Sequence, residues 1–211
     1  GQGSNNDVLY GGAGNDSLYG STGDNTLDGG TGKDTIFSGT GSDTIVIRSG
    51  DGSTTLADAD VLRDFSDGND VIGMDGLNFG DLTISQGTGD YASHTLVSLL
   101  SSSEYLLVVQ DTTVSNVTAV DFSSTSTANQ SFAGDSSNNT FIGGAGNDTF
   151  SGSGGSDGLY GYAGDDTIIV SDKSGSYTDT IDGGAGTDTL TISYTGVSSL
   201  SDVTISTDGD Y

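Results

Sequence analysis

Apolar side chains recur every ninth residue over two stretches of the chain. In the first, Leu9, Leu18, Leu27, Ile36 and Ile45 form a column. In the second, Phe141, Phe150, Leu159 and Ile168 do so, followed after four extra residues by Ile181 and Leu190. Each column residue sits inside a short run of the form x-apolar-x, as in Asp34-Thr35-Ile36-Phe37. Strand side chains alternate between faces, so the column points one way and its neighbours the other. The rest of each repeat is a turn of the form Gly-Gly-x-Gly-x-Asp, best seen in Gly11-Gly12-Ala13-Gly14-Asn15-Asp16. Glycine permits the positive φ that such a turn needs. A repeat this short can only wind into a coil, two repeats per full turn, with parallel strands stacked at about 4.8 Å. The prediction is an all-β chain with a parallel β-solenoid in each stretch.

The pattern changes between the arrays, giving expected blocks at 1–50, 51–133, 134–191 and 192–211. After Gly50, the segment Asp60 to Ile72 reads as strand, turn, strand, with Asp64, Asp67 and Asp70 as turn caps. An EF-hand loop is disfavoured there, because the closing glutamate is absent. Leu77 to Ser85 reads as a turn and a strand. His94–Leu100 and Tyr105–Gln110 form a hairpin across the polar loop Ser101–Glu104, and Val114–Phe122 carries a short helical turn. This middle is the most apolar part of the chain and is expected to pack as a small β element between the arrays. Ser123–Gln130 reads as a connecting loop. The four residues Val170-Ser171-Asp172-Lys173 break the second array, which continues only if they bulge outward. After Asp188, Leu190–Tyr194 runs longer than a roll strand and a strand follows at Val203–Ser206, so the tail, 192–211, reads as the start of another β segment.

Charge sharpens the picture. Thirty acids stand against four bases, for a net charge of −26, and Glu104 is the only glutamate. A generic acidic surface would mix the two acids; a short, turn-compatible carboxylate at fixed spacing points to metal ligation. The same charge argues against nucleic acid and anionic membranes as partners, and it opposes compaction unless cations bind. One inward apolar residue per repeat is a thin core, so ion binding is expected to supply folding free energy. With no cysteine, disulfides and thiolate sites are excluded. No signal peptide or membrane-spanning run is visible. The chain opens inside a repeat and is read as a fragment of a longer protein.

Residues 2–46 and 134–191 resemble the calcium-binding nonapeptide of the RTX (repeats-in-toxin) family. The resemblance implies two parallel β-rolls with Ca²⁺ held between turns on one edge, joined by a small non-calcium β element. It also implies that Asp-Phe-Ser-x-Gly-x-Asp segments close such rolls, with Phe65 as the plug. Its ligand scheme takes the second and fourth carbonyls and the sixth side chain of one repeat, with the first and third carbonyls and the sixth side chain two repeats on. In the first array this implies Gly3, Asn5 and Asp7 with Gly20, Thr22 and Asn25; Gly12, Gly14 and Asp16 with Gly29, Thr31 and Asp34; and Ser21, Gly23 and Asn25 with Ser38, Thr40 and Asp43. In the second it implies Asp135, Ser137 and Asn139 with Gly152, Gly154 and Asp157; Gly144, Gly146 and Asp148 with Gly161, Ala163 and Asp166; Ser153, Gly155 and Asp157 with Ser174, Ser176 and Asp179; and Tyr162, Gly164 and Asp166 with Gly183, Ala185 and Asp188. The last two sets depend on the bulge. Asn25 and Asn139 depart from the aspartate pattern, and a neutral amide is expected to weaken every site it joins.

No catalytic constellation stands out. His94, the single histidine, reads as a strand residue on the surface, Glu104 as a solvated loop residue, and no Gly-x-Ser-x-Gly appears in a strand-to-helix setting. The Asn-x-Ser/Thr triplets, those at Asn116, Asn129 and Asn138 among them, carry little meaning in so Asn/Ser/Thr-rich a chain. The expected function is a calcium-dependent folding module of a bacterial protein exported by type I secretion and placed outside the cell or on its surface. The partners are calcium ions, with self-assembly or neighbouring domains of a parent protein and no direct membrane insertion. Two other readings stay open: a segment of a calcium-stabilised surface layer, adhesin or filament, and an accessory region of a secreted enzyme whose catalytic domain lies outside this chain.

Overall fold

A computed structural model describes residues 5–171 and 178–193. They form two compact units, residues 1–125 and 126–211. In the first, the strands are β1 (Val8–Ala13), β2 (Ser17–Tyr19), β3 (Thr26–Thr31), β4 (Thr35–Phe37), β5 (Thr44–Ile47), β6 (Asp60–Leu62), β7 (Val71–Met74), β8 (Leu82–Gln86), β9 (Thr95–Leu99), β10 (Tyr105–Val109) and β11 (Phe122–Ser124). In the second they are β12 (Ser131–Ala133), β13 (Thr140–Gly144), β14 (Thr149–Ser151), β15 (Gly158–Tyr162), β16 (Thr167–Ser171), β17 (Thr180–Asp182) and β18 (Thr189–Ser193). Among the described residues the helical segments are all 3₁₀ turns of three residues.

Successive repeats alternate between two sheets, as a coil of two repeats per turn requires. In the first unit the orders are β1-β3-β5-β7-β11 and β2-β4-β6-β10-β9-β8. The roll pairings are parallel and in the register the nine-residue period dictates. Leu9 faces Leu27, Leu27 faces Ile45, and Ile45 faces Ile72. On the other sheet Leu18 faces Ile36, Ile36 faces Leu62, and Leu62 faces Val109. Leu27, Ile36, Ile45, Leu62, Ile72 and Val109 are essentially inaccessible to solvent. The second unit repeats the plan as β12-β14-β16-β18 and β13-β15-β17. Its core holds Phe132, Phe150, Leu159, Ile168 and Val170, with Phe141 and Ile181 packed against it.

The middle segment extends the first roll. Strands β6, β7 and β11 add to its two sheets in parallel, and the expected hairpin forms as antiparallel β9–β10, with β8 antiparallel beyond it. The sheet here is covered on both faces. Leu62 and Val109 continue the inner column, while Leu96 and Val108 pack outside with Ala59, Leu56, Val61, Tyr91 and Tyr105. That double burial explains why the segment is so apolar. The first roll ends on a different plug from the expected one. Phe122 continues the inward column opposite Ile72 and is fully buried, with Phe79 edge-on at 5.1 Å, whereas Phe65 is half-exposed. The helical turn expected near Val114–Phe122 appears as 3₁₀ turns at Val114–Asn116 and Ala119–Asp121.

Ser126–Gln130, expected as a loop, is already a turn of the second roll. Ala145 N–H donates to the Ser126 carbonyl and Gln130 N–H to Asp148 Oδ1. Val170 and Ser171, expected to begin the interruption, instead complete β16 and pair with Ile192 and Ser193, and the four extra residues leave the pairing intact, since Gly158 faces Thr180 and Leu159 faces Ile181. The strand expected at Val203–Ser206 lies outside the described residues.

Candidate metal centre

The sixth-position side chains stack along the edges of the rolls and bind one coil to the next. Beyond the first coil of each roll, these side chains offer Oδ1 to the backbone N–H of the sixth residue one coil earlier. Asp16 N–H donates to Asp34 Oδ1 at 2.7 Å, and Asn25 N–H to Asp43 Oδ1 at 2.8 Å. In the second roll Asn139 N–H donates to Asp157 Oδ1 at 2.9 Å, and Asp148 N–H to Asp166 Oδ1 at 2.6 Å. The ladder crosses the four-residue insertion: Asp157 N–H donates to Asp179 Oδ1 at 3.0 Å and Asp166 N–H to Asp188 Oδ1 at 2.9 Å, 22 residues apart instead of 18.

The carbonyls named from sequence meet on the same edges. In the set running from Gly12 to Asp34, Gly12 stands opposite Gly30, Gly14 N–H donates to Thr31 O, and Gly29 O lies beside Gly11. In the set from Ser21 to Asp43, Thr40 N–H donates to Ser21 O, Gly23 N–H to Thr40 O, and Ser38 O lies beside Gly20. Thr22 bridges to Thr40, and Asn5 O lies against Gly23. In the second roll Gly154 N–H donates to Asp135 O, and Ser137 O lies against Gly155. Ala163 N–H donates to Gly144 O, and Gly146 O lies against Gly164. Ala185 N–H donates to Tyr162 O, with Gly152, Gly161 and Gly183 each beside the aspartate of its own repeat. Gly3, Ser174 and Ser176 lie outside the described residues, as does most of the environment of Ser153 in that set.

The second carboxylate oxygens carry the chemical signal. Among the described residues, the buried side-chain polar atoms without a hydrogen-bond partner are Asp34 Oδ2, Asp43 Oδ2 and Asp166 Oδ2. Each sits on an aspartate whose Oδ1 is already held. A buried acceptor left unsatisfied costs about 1–3 kcal/mol, more when charged. The turn is shaped around this oxygen: a Cβ on Gly29 would lie 2.5 Å from Asp34 Oδ2. At Gly32, φ is +133° and a side chain would strike Gly14 O. Burial pushes the Asp34, Asp70 and Asp166 carboxyls above the ordinary range and Asp60 up to about 7. The hydrogen bond from the neighbouring coil opposes the rise, and the adjacent carboxylate adds to it. Stacked carboxylates, backbone carbonyls and orphaned oxygens form an all-oxygen donor set, which suits a hard cation and offers nothing to a soft one. Among the described residues no cluster of three His, Cys, Asp or Glu side chains could hold a metal without those carbonyls.

The two asparagines differ. Asn25 accepts from Asp7 N–H through Oδ1 at 3.0 Å, and its Nδ2 donates to Gly23 O at 2.8 Å and to Asp43 Oδ1 at 2.9 Å. Asn139 accepts from Asp135 N–H through Oδ1 at 3.1 Å, the contact that Asp148 Oδ2 makes with Gly144 N–H.

Several residues of the edge escape the glycine signature. Asp60 and Asp70 prolong the ladder, taking N–H groups from Asp34 at 2.7 Å and Asp43 at 3.2 Å. Their signal was the Asp-x-apolar run in Asp60-Val61-Leu62 and Asp70-Val71-Ile72. Asp64 takes Ser38 N–H and Gly39 N–H, and Ser38 Oγ reaches Asp70 Oδ2. The fifth position forms a second ladder of opposite sense, with Lys33 N–H donating to Asn15 Oδ1 and Asp165 N–H to Asn147 Oδ1. Glu104 is buried, not solvated: Oε1 accepts Gly50 N–H and Gly52 N–H, each at 2.9 Å, latching the middle segment to the end of the first array. Arg48 gathers Asp28, Asp51 and Asp75 at 2.6, 2.7 and 2.9 Å. These bonds, that from Asp28 first, raise its pKa against the effect of burial. His94 clasps the hairpin ends, its Nδ1 accepting Asp111 N–H at 3.1 Å beside Ser93 Oγ. Nδ1 thus acts as an acceptor that ties Asp111 to the start of β9.

A family model of the RTX calcium-binding nonapeptide repeat matches residues 3–36, 10–45, 19–56, 133–168 and 174–191. Curated proteins give no match. Among solved structures, the R3 subunit of the mannuronan C5-epimerase AlgE6 from Azotobacter vinelandii is similar at 22% identity and a TM-score of 0.40, over 56% of this chain and 78% of that one. The R2 subunit of the same enzyme is similar at 25% identity and a TM-score of 0.42, over 57% and 89%. The family matches together span half of the chain and fall on both ladders: this chain belongs to the RTX calcium-binding nonapeptide repeat family.

Proposed function

We propose that the chain is a calcium-coupled folding module of a bacterial protein that works outside the cell, its ion-binding blocks being residues 1–50 and 134–191. The orphaned Oδ2 atoms of Asp34, Asp43 and Asp166 carry this reading. Calcium supplies positive charge to oxygens that nothing else in the chain satisfies. The chain's own part is positional. Oδ1 of each aspartate is fixed by the previous coil, so Oδ2 is held on the edge beside the carbonyls of the turn. The glycines keep that space open, and the inward apolar column holds the coils at the spacing the ladder needs. A chain of charge −26 repels itself while its carboxylates are bare, and closes when they are neutralised. Sites of the extracellular class bind at about 10⁻⁴–10⁻³ M, far above cytosolic calcium, so the module stays open inside the cell and folds outside. Export by type I secretion is consistent with that order of events.

The test is circular dichroism of the whole chain during a calcium titration, with magnesium as the control. A cooperative gain of β signal with calcium, reversed by chelator, is expected. Asp34→Asn should weaken calcium binding at least about tenfold, the scale on which metal sites respond to loss of even an outer partner. Full β structure in excess chelator, unchanged by calcium and without bound metal on elemental analysis, would overturn the reading.

A further inference from the structure

The sixth-position side chain faces two ways. Oδ1 of Asp34 or Asp43 points back to the coil before it, and the other terminal atom is left for the coil that follows. At Asn25 that other atom is a nitrogen. Nδ2 lies beside Gly20, in the place where Asp34 Oδ2 lies beside Gly29 and Asp166 Oδ2 beside Gly161. From there it donates to Gly23 O at 2.8 Å and to Asp43 Oδ1 at 2.9 Å. Both acceptors belong to the set Ser21, Gly23, Asn25, Ser38, Thr40 and Asp43, which the family scheme assigns to one ion.

The orientation is not free to reverse. Asp7 N–H can only donate, so it requires the oxygen; Gly23 O and Asp43 Oδ1 can only accept, so they require the nitrogen. A flipped amide would set donor against donor and acceptor against acceptor in a residue that is almost wholly buried. Asn139 shows the opposite arrangement. Its oxygen takes Asp135 N–H and lies beside Gly134, filling the forward position of an aspartate Oδ2.

We infer that the Asn25 side-chain amide stands in for a calcium ion in the set running from Ser21 to Asp43, so that this stretch of edge closes without metal. The inference rests on the calcium reading above and deepens it. The two sets that share Asn25 are then unequal. The set shared with Asp7 keeps an oxygen ligand; the set shared with Asp43 holds two N–H···O bonds in place of an ion. Asp43 Oδ2 remains bare for the following coil, toward Asp70. The first roll therefore carries one metal-free joint between metal-dependent neighbours, and Asn139 leaves the second roll without one.

The experiment counts ions on the full chain by native mass spectrometry in saturating calcium. Asn25→Asp should bind one ion more than wild type, and Asn139→Asp should bind the same number as wild type. Equal counts for wild type and Asn25→Asp, or an equal gain from both variants, would overturn the inference while leaving calcium binding intact. A wild-type chain that binds no calcium would overturn the calcium reading itself, and this inference with it. Should Asn25→Asp fail to fold, the wild-type protein decides. In saturating calcium the Asn25 Nδ2 protons should exchange slowly with solvent on ¹⁵N-edited NMR, and exchange as fast as an exposed amide would overturn the inference.

Discussion

The two units build the same edge over different cores. In the first, the inward columns are leucine and isoleucine and run on into Val109 and Phe122. In the second, Phe132, Phe141 and Phe150 stack, with ring centroids 5.4 and 5.0 Å apart, and the last described coil leaves Leu190 39% exposed. The first also has the Arg48 cluster, the Glu104 latch and a hairpin along one side. The ladder from sixth position to sixth position is common to both and survives a spacing of 22 residues as well as 18. Edge and core are thus separable: the edge takes a side-chain oxygen of aspartate or asparagine in register, and the core only an apolar side chain of fitting volume.

Core deletions should break the comparison most. Phe150→Ala should cost about 3–5 kcal/mol. Hydrogen exchange read by mass spectrometry in calcium should show lost protection confined to residues 126–193, and an equal loss in the first unit would show that the two do not unfold independently. Next in size is Arg48→Ala, which strips charge-assisted bonds from the nearly buried Asp28 and should destabilise the first unit by about 1.5–3 kcal/mol in denaturant titration. Arg48→Lys should recover only part of this, since a point charge cannot reproduce the paired bonds to Asp28.

Acidity sharpens the comparison. The Asp34, Asp60, Asp70 and Asp166 carboxyls are raised above 3.8 in the fold, Asp60 to about 7. The metal-free fold therefore holds protons that the unfolded chain releases. Its stability is greatest below about pH 4 and falls as pH rises toward 7. Without calcium, mild acid should restore part of the β signal, more in the first unit, which holds three of these groups; a metal-free chain less ordered at pH 4.5 than at pH 7 would contradict this. The smallest effect is expected at Ser21, which adopts φ +78° where the repeat carries its second glycine. Ser21→Gly should raise stability by about 1 kcal/mol in thermal melts with calcium.

Much of this was legible because period and chemistry coincide. The nine-residue column fixed inward faces and register, and Asp16, Asp34, Asp148 and Asp166 stand where their spacing placed them. The continuation through Asp60 and Asp70 was hidden, because the glycines that flag a turn are replaced there by 3₁₀ and hydrogen-bonded turns while the Asp-x-apolar core of the repeat persists. Gln130 hid in the same way, as a sixth position without a carboxylate. Glu104 differs from the expected solvated residue because its hydrogen-bond donors are backbone N–H groups more than fifty residues away, a contact that no local pattern encodes. The two asparagines look alike as letters; only the donors around each decide which end of the amide faces the edge.

The outer face of the first roll has a consequence of its own. Tyr19 and Phe37 stack outside it with centroids 4.9 Å apart and planes within 5°. Tyr10, Asp28 and Val46 share the corresponding row on the other sheet. Ninth-position side chains of repeats two apart are therefore neighbours in a file along the outside of each sheet. The solenoid amounts to a molecular ruler whose exposed graduations, Tyr10 and Tyr19 among them, can be rewritten without touching the aspartate edge or the inward column, while Asp28, held by Arg48, is a fixed mark.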